Sequence, residues 1–309
     1  MLSARSIGEK AERATLTLPL AHGTVFEAFY SYVIVDEPAV HLMPLHFLPI
    51  TSRDRVDEGS LQDLAVAAKL EYARNRWLDE LVDKPCSAPE LSAQHRLNEA
   101  LLGLIHSRYS HVLDGTVAAA FFSVLSKLYA CYGLSLVLDS TWYRNPTSSM
   151  DLKEYTEHAR MRHGPVRAPL DAVLLLVGAD DELLERARSS WHNLALGVQF
   201  YDDALDIEED FRDRNLSWTV SRALECFDGY SSNPDTQSLA AQDAFYEKAL
   251  REALREGVIC ETLSHAESFF AEAARLAEPT FPSWVTYQHA CTRRVKHLRE
   301  DYEKLLAGA

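Results

Sequence analysis

The sequence predicts an all-α protein, and three observations carry that prediction. Glycine and proline number only 12 each in 309 residues, so helix-breaking positions are sparse. Apolar residues recur at i, i+3, i+4 and i+7 along most of the chain, which is the period of one helical face. Alternating apolar–polar runs of the strand type are hard to find.

The elements follow in order. Residues 1–59, with Pro19, Pro38, Pro44 and Pro49, read as loops and short helices packed on the outside of a bundle. Helices are expected over 60–83, 89–113, 116–139, 149–163, 168–178, 181–211, 214–229, 238–255, 257–276 and 281–306. The breaks between them fall at Asp83-Lys84-Pro85, Asn145 to Ser149, His163-Gly164-Pro165, Gly229 to Asp235, and Glu278 to Pro282. No internal repeat and no Ser/Gly-rich linker divides the chain. The expectation is therefore a single helical domain over 60–309 with the N-terminal segment laid against it.

Composition narrows the function. Hydrophobic residues make up 47% and charged residues 25%, the balance of an ordinary globular chain. A formal net charge of −15 argues against nucleic acid or an anionic membrane as a partner of the surface as a whole. An anionic substrate then needs a metal or a local basic cluster. Five cysteines without a CxxC pair suit a reducing compartment, and residues 1–25 lack the pattern of a signal peptide, so a cytoplasmic location is expected. The apolar stretch Thr116 to Leu138 is interrupted by Ser123, Ser126 and Lys127, and reads as a buried core helix rather than a membrane span.

The most informative stretch is Gln199 to Asp210, with six acidic residues in twelve inside a helical pattern. Gln199, Asp202, Asp203, Asp206 and Asp210 share one stripe at 3.6 residues per turn. Stripes of that spacing are normally apolar. Like charges one turn apart repel, and buried carboxylates are costly unless paired or metal-bound. A divalent metal answers the row. A second acidic face, Asp79, Glu80 and Asp83, ends the helix before Pro85. Alone it would pass for a solvated surface. Paired with the first, it suits magnesium ions shared between a few carboxylates and the oxygens of a diphosphate.

The segment Arg76-Trp77-Leu78-Asp79-Glu80-Leu81-Val82-Asp83-Lys84-Pro85 resembles the Asp-Glu-Leu-Val-Asp-x-Pro segment of phytoene synthases. Gln199, Asp202, Asp206, Glu209 and Asp210 resemble the Gln-x-x-Asn/Asp-x-x-x-Asp-x-x-Glu-Asp motif of the squalene/phytoene group. The doublet Asp202-Asp203 departs from that group toward the Asp-Asp-x-x-Asp motif of polyprenyl synthases and terpene cyclases. The chain thus resembles the class I isoprenoid synthases over 72–85 and 191–218. The resemblance implies a single-domain helical bundle with a central active-site cavity. It also implies a C10–C20 prenyl diphosphate substrate and three magnesium ions, some arriving with the diphosphate. Metal ligands are expected among Asp79, Glu80, Asp83, Asp202, Asp203, Asp206 and Asp210, and a homodimer is common in this superfamily.

Further residues follow from the resemblance. The segment Glu154 to Pro165 is similar to the terpene-cyclase stretch in which Tyr and Arg precede a helix break. Arg160 and Arg162 are the candidate diphosphate contacts, Arg162 being the nearer to the break at Gly164-Pro165, and a plain surface arginine pair is the alternative. Gln199, Arg293 and Arg294 join them, although Val295 stands where a tyrosine is expected; Arg212 and Arg214 are alternatives. Phe121, Phe122, Phe200 and Tyr201, with Tyr129 and Tyr132, are candidate cavity walls, because aromatic faces favour a carbocation.

The Gly-Gly-Lys-x-x-Arg stretch of chain-elongating synthases has no counterpart upstream of Asp79. The expected reaction is therefore ionisation of a prenyl diphosphate, cyclisation of the allylic cation and release of pyrophosphate. Head-to-head condensation of the squalene/phytoene type is the alternative. A helical di-iron oxidase lacks its Glu-x-x-His pairs, with His158, His192 and His265 read as surface or capping residues. A non-catalytic scaffold is disfavoured by the intact acidic rows.

Overall fold

The computed structural model describes residues 3–18, 24–34, 38–83, 88–141, 151–213, 215–226 and 239–308. Among them there are helices and no strands. The N-terminal segment forms α1 (Ala4–Leu16), α2 (Thr24–Ile34), α3 (Pro38–His41), α4 (Met43–His46) and a 3-10 turn, Ile50–Arg55. It is more regular than expected: α1 opens on a capping box between Ser3 and Ser6. The remaining helices are α5 (Glu58–Asp83), α6 (Ala88–Val112), α7 (Gly115–Thr141), α8 (Leu152–Arg162) and α9 (Ala168–Leu176). After them come α10 (Asp181–Leu205), α11 (Ile207–Asp213), α12 (Trp218–Cys226), α13 (Leu239–Arg255), α14 (Val258–Ala277) and α15 (Pro282–Gly308).

Contacts divide the chain into two compact units. The first comprises Met1–Leu136, His163–Arg188 and Ala277–Trp284. Its axis is α5, against which α1, α2, α3, α4, α6 and α9 pack. From Leu64 to Asn75 that helix is buried on every side, with Tyr72 alone half-exposed. Phe29 meets Trp77 edge-on at 5.8 Å, and Phe47 lies against Phe281 and Trp284 at 5.1 and 4.6 Å. Asp171 on α9 is fully buried yet charge-balanced, its two oxygens taken by Arg167 and Arg188 at 3.1 and 2.6 Å.

The second unit comprises Val137–Arg162, Ser189–Leu276 and Val285–Ala309. Here α10 meets α14 closely: the Ser190 hydroxyl donates to the Ala273 carbonyl at 2.7 Å. A Cβ on Gly197 would stand 2.8 Å from the Phe270 ring, so glycine is required for this approach. Helix α12 packs on α11 and α13. Arg299 of α15 reaches Glu267 of α14 at 3.1 Å.

Two expectations are corrected. The stretch 116–138 is buried along one stripe only, at Phe121, Leu125, Tyr132 and Ser135, while Leu134 and Val137 are more than half exposed. By length and composition α7 could cross a membrane, and just 22% of its most apolar window is buried, so it is not the core helix expected. The single helix expected over 181–211 is two, because the chain bends at Asp206. Two backbone bonds flank the bend: Asp206 N–H donates to the Asp202 carbonyl and Asp210 N–H to that of Asp206, both at 2.8 Å.

Candidate functional site

The acidic row of the second unit separates into members with different surroundings. Asp202, Asp206 and Glu209 are exposed, whereas Asp203 is 4% exposed. Both oxygens of Asp203 are occupied. Its Oδ1 accepts from the Gln199 amide at 2.9 Å, and its Oδ2 accepts from the Tyr155 hydroxyl and from the Trp218 backbone N–H at 2.8 Å. Trp218 opens α12, so this carboxylate satisfies a donor that helix geometry leaves without a partner. Burial pushes the Asp203 carboxyl above the ordinary carboxylate range, against its hydrogen bonds and the charge of Arg162. Asp210, half-buried, is pushed up to about 7 by burial and by the negative charges of Asp203 and Asp206, with Ser217 and Asn215 acting in the other direction.

Helix α8 turns Tyr155, His158, Ala159 and Arg162 toward one side at helical spacing, the first three being buried. His158, expected at the surface, is buried and lies 3.0 Å from Asp139. The two candidate arginines of α8 part company. Arg162 acts on Asp203, while Arg160 pairs with Glu157 at 3.8 Å on the exposed side. From α15, Arg294 stands 5.4 Å over the ring of Tyr201, one residue before Asp202; Arg293 is exposed. Phe200 is fully buried among Tyr155, Trp218, His265 and Phe269, at ring distances of 5.0 to 5.8 Å. His265 is therefore part of an aromatic cluster rather than a surface cap. A cavity of about 370 Å³ opens beside the row, with Asp206, Glu208, Glu209 and Arg212 on its polar side and Leu250 and Leu254 on its apolar side.

In the first unit, Asp79 is half-buried and its Oδ1 accepts from the Tyr132 hydroxyl of α7 at 2.9 Å; that hydroxyl also lies 3.1 Å from the Asn75 carbonyl oxygen. Glu80 and Asp83 continue the same helix, and their side chains lie outside those described, as does Arg214. Phe121 is buried against Tyr109 at 4.5 Å, and Phe122 meets both Phe121 and His106. Tyr132 and Tyr155, each donating to a motif carboxylate, carry more of the arrangement than the spacing of the acids reveals.

Among the described residues no three carboxylate, histidine or cysteine side chains gather as a ready-made metal cage. Exposed Asp202 and Asp206, one turn apart, do fit a hard cation that keeps several waters and takes further oxygens from a phosphate. Asp203, with both oxygens engaged, fits a positioning role instead.

No protein-family model and no curated protein sequence matches the chain. Solved structures do. A crystal structure of a geranylgeranyl pyrophosphate synthase matches with a TM-score of 0.73 at 15% identity, over 97% of this chain and 99% of that one. A polyprenyl synthase from Caulobacter crescentus CB15, complexed with calcium and isoprenyl diphosphate, matches with a TM-score of 0.71 at 15% identity over 94% of each chain. A geranylgeranyl pyrophosphate synthase from Corynebacterium glutamicum, complexed with isoprenyl diphosphate and magnesium, matches at 0.69 and 12% identity, over 95% and 99%. This is the class I isoprenoid synthase fold. The all-α prediction holds, and at such identities the likeness is one of fold.

Proposed function

We propose that the protein is a magnesium-dependent enzyme that ionises a prenyl diphosphate and cyclises the resulting allylic cation, releasing pyrophosphate. The observation that carries this reading is the division of labour around Asp203. One acid is buried as an anchor and feels the charge of Arg162, its neighbours Asp202 and Asp206 are left facing solvent, and Arg294 lies over the ring of Tyr201. Fold neighbours complexed with isoprenyl diphosphate and a divalent cation support the substrate class.

Asp202 and Asp206, and Asp79 in the first unit, would each supply oxygens to magnesium. When bound, the metal withdraws charge from the leaving group as a Lewis acid. The guanidinium groups of Arg162 and Arg294 take up negative charge that grows on the diphosphate as the C–O bond breaks. Asp203 acts through others: it holds Gln199, Tyr155 and the start of α12 in place. Aromatic faces such as Phe122 and Tyr129 favour a cation that water must not reach.

The names of the fold neighbours favour a second reading, chain elongation, even though the Gly-Gly-Lys-x-x-Arg stretch is missing. One experiment separates them. The purified protein with Mg²⁺ is given geranyl, farnesyl and geranylgeranyl diphosphate, each with and without isopentenyl diphosphate, and products are read by mass spectrometry. A hydrocarbon or alcohol of unchanged carbon number is expected. A longer prenyl diphosphate would establish elongation, and a product of doubled carbon number would establish head-to-head condensation. No pyrophosphate release from any of them would refute the reading.

A further inference from the structure

Eight residues before Asp79 on α5, about 12 Å along the helix axis, stands a carboxylate that neither acidic motif includes. Glu71 is fully buried. Its Oε1 accepts from the Tyr129 hydroxyl, but its Oε2 has no hydrogen-bond partner, the Arg74 guanidinium lying 3.9 Å away. The surroundings are polar without being mutually satisfied. Arg74 donates through Nε to Asn98 at 2.8 Å and lies 5.0 Å over the Tyr129 ring, while its Nη1 is buried and unpartnered. The hydroxyl of Tyr109 and Nε2 of His106 are unpartnered too. His106 stacks on Tyr129 at 6.1 Å and meets Phe122 at 5.4 Å.

A structural carboxylate buried at this depth normally has all its oxygens bonded, as Asp203 and Asp171 do. An unoccupied oxygen beside aromatic rings, on the helix that carries Asp79, suits a group that meets a reacting molecule. A prenyl tail of ten to twenty carbons whose head is held at Asp79 spans the distance to Glu71.

We infer that Glu71 is the proton acceptor that ends the carbocation reaction, its Oε2 taking a proton from the carbon next to the cationic centre. The C–H bond breaks, its electron pair becomes the new C=C bond, and the proton forms the O–H of a neutral Glu71. No redox partner is needed, and the proton later returns to solvent or to the released pyrophosphate. Burial pushes the Glu71 carboxyl up to about 7, with Arg74 and the Tyr129 hydrogen bond acting the other way. A group poised near neutrality both takes and gives up a proton. The titratable and charged groups that face it are Arg74, Tyr129 and Tyr109, with His106 beyond Tyr129.

This inference rests on the proposed prenyl diphosphate chemistry, and the test keeps the two apart. Full-length wild type and Glu71→Gln are given farnesyl diphosphate and geranylgeranyl diphosphate with Mg²⁺, following pyrophosphate release and product spectrum separately. Glu71→Gln is expected to lose at least tenfold of the wild-type olefin while pyrophosphate release falls far less, the balance appearing as alcohols or earlier-stage olefins. Glu71→Asp should restore part of the olefin. An unchanged product spectrum, or equal losses of both readouts without rescue by Glu71→Asp, would overturn the assignment. Wild type releasing no pyrophosphate would instead refute the underlying chemistry. Should Glu71→Gln fail to fold by circular dichroism, Tyr129→Phe decides. Losing a bond that lowers the Glu71 pKa must move the olefin-per-pyrophosphate limb to higher pH, and an unmoved limb overturns the proposal.

Discussion

Glu71 and Asp203 are both buried carboxylates, each accepting a tyrosine hydroxyl from another helix, yet they differ in what remains free. Asp203 receives three donors on two oxygens, one of them the first N–H of α12. Glu71 receives one donor and leaves Oε2 unbonded beside a guanidinium at 3.9 Å. The lesson is that burial alone does not assign a role to an acid. A fully satisfied carboxylate positions its donors, and one with an oxygen to spare is available to chemistry.

The largest effect is expected at the satisfied member. Asp203→Ala strands Tyr155, Gln199 and the Trp218 N–H and should cost ~3 kcal/mol in urea unfolding, with turnover lost as well. A cost below ~1 kcal/mol would break the comparison. Next comes Asp206→Asn at the exposed end of the row, where turnover should drop about a hundredfold, or ~2.7 kcal/mol in the barrier. Stability there should stay within ~0.5 kcal/mol, because nothing buried is disturbed. Retained turnover in steady-state assays would remove Asp206 from the metal-binding set.

A smaller contrast concerns α8. Arg162→Gln should lower kcat/KM about tenfold, whereas Arg160→Gln, whose partner is an exposed Glu157, should leave it within about twofold. Equal effects would erase the distinction drawn from the charge that reaches Asp203.

The most gradual effect is a slope. Glu71 has its folded-state pKa raised from 4.5 to about 7, so between those values the folded protein holds more protons than the unfolded chain. Its contribution to stability is fully present below about 4.5, declines as pH rises toward about 7, and is flat above. Glu71→Gln keeps an acceptor for Tyr129 and cannot ionise. The stability of wild type relative to Glu71→Gln should therefore decline across that window in denaturation series. A flat difference would show that Glu71 is better solvated or better paired than its surroundings indicate.

These contrasts also show what could be read from the chain beforehand. The helices were legible because Pro85 and Gly164-Pro165 punctuate strong 3.6-residue periodicity, and the acidic row because six charges in twelve residues violate that periodicity. Which of Asp202 and Asp203 faces inward was not legible. The answer depends on Tyr155 and the start of α12, both distant in sequence. Glu71 was invisible for a different reason. Where α5 is buried on every side, no stripe separates inward from outward positions, and Lys69, Glu71, Arg74 and Asn75 carry no periodic signature. Helix α7 misled in the opposite sense, since apolar composition suggested burial that only one of its stripes has.

The bend at Asp206 has a further consequence for how this region can change. Asp206 closes α10 through its bond to the Asp202 carbonyl, and its own carbonyl accepts from Asp210 of α11, so one residue joins the two helices and sets the spacing of the carboxylates. Adding or removing one residue there would turn the side chains of α11 by roughly 100° about its axis. It would also strip α12 of the acceptor that Asp203 provides, if the change fell between residues 203 and 218. Substitutions at the exposed acids leave the fold intact, whereas the length of this segment is fixed from both of its ends.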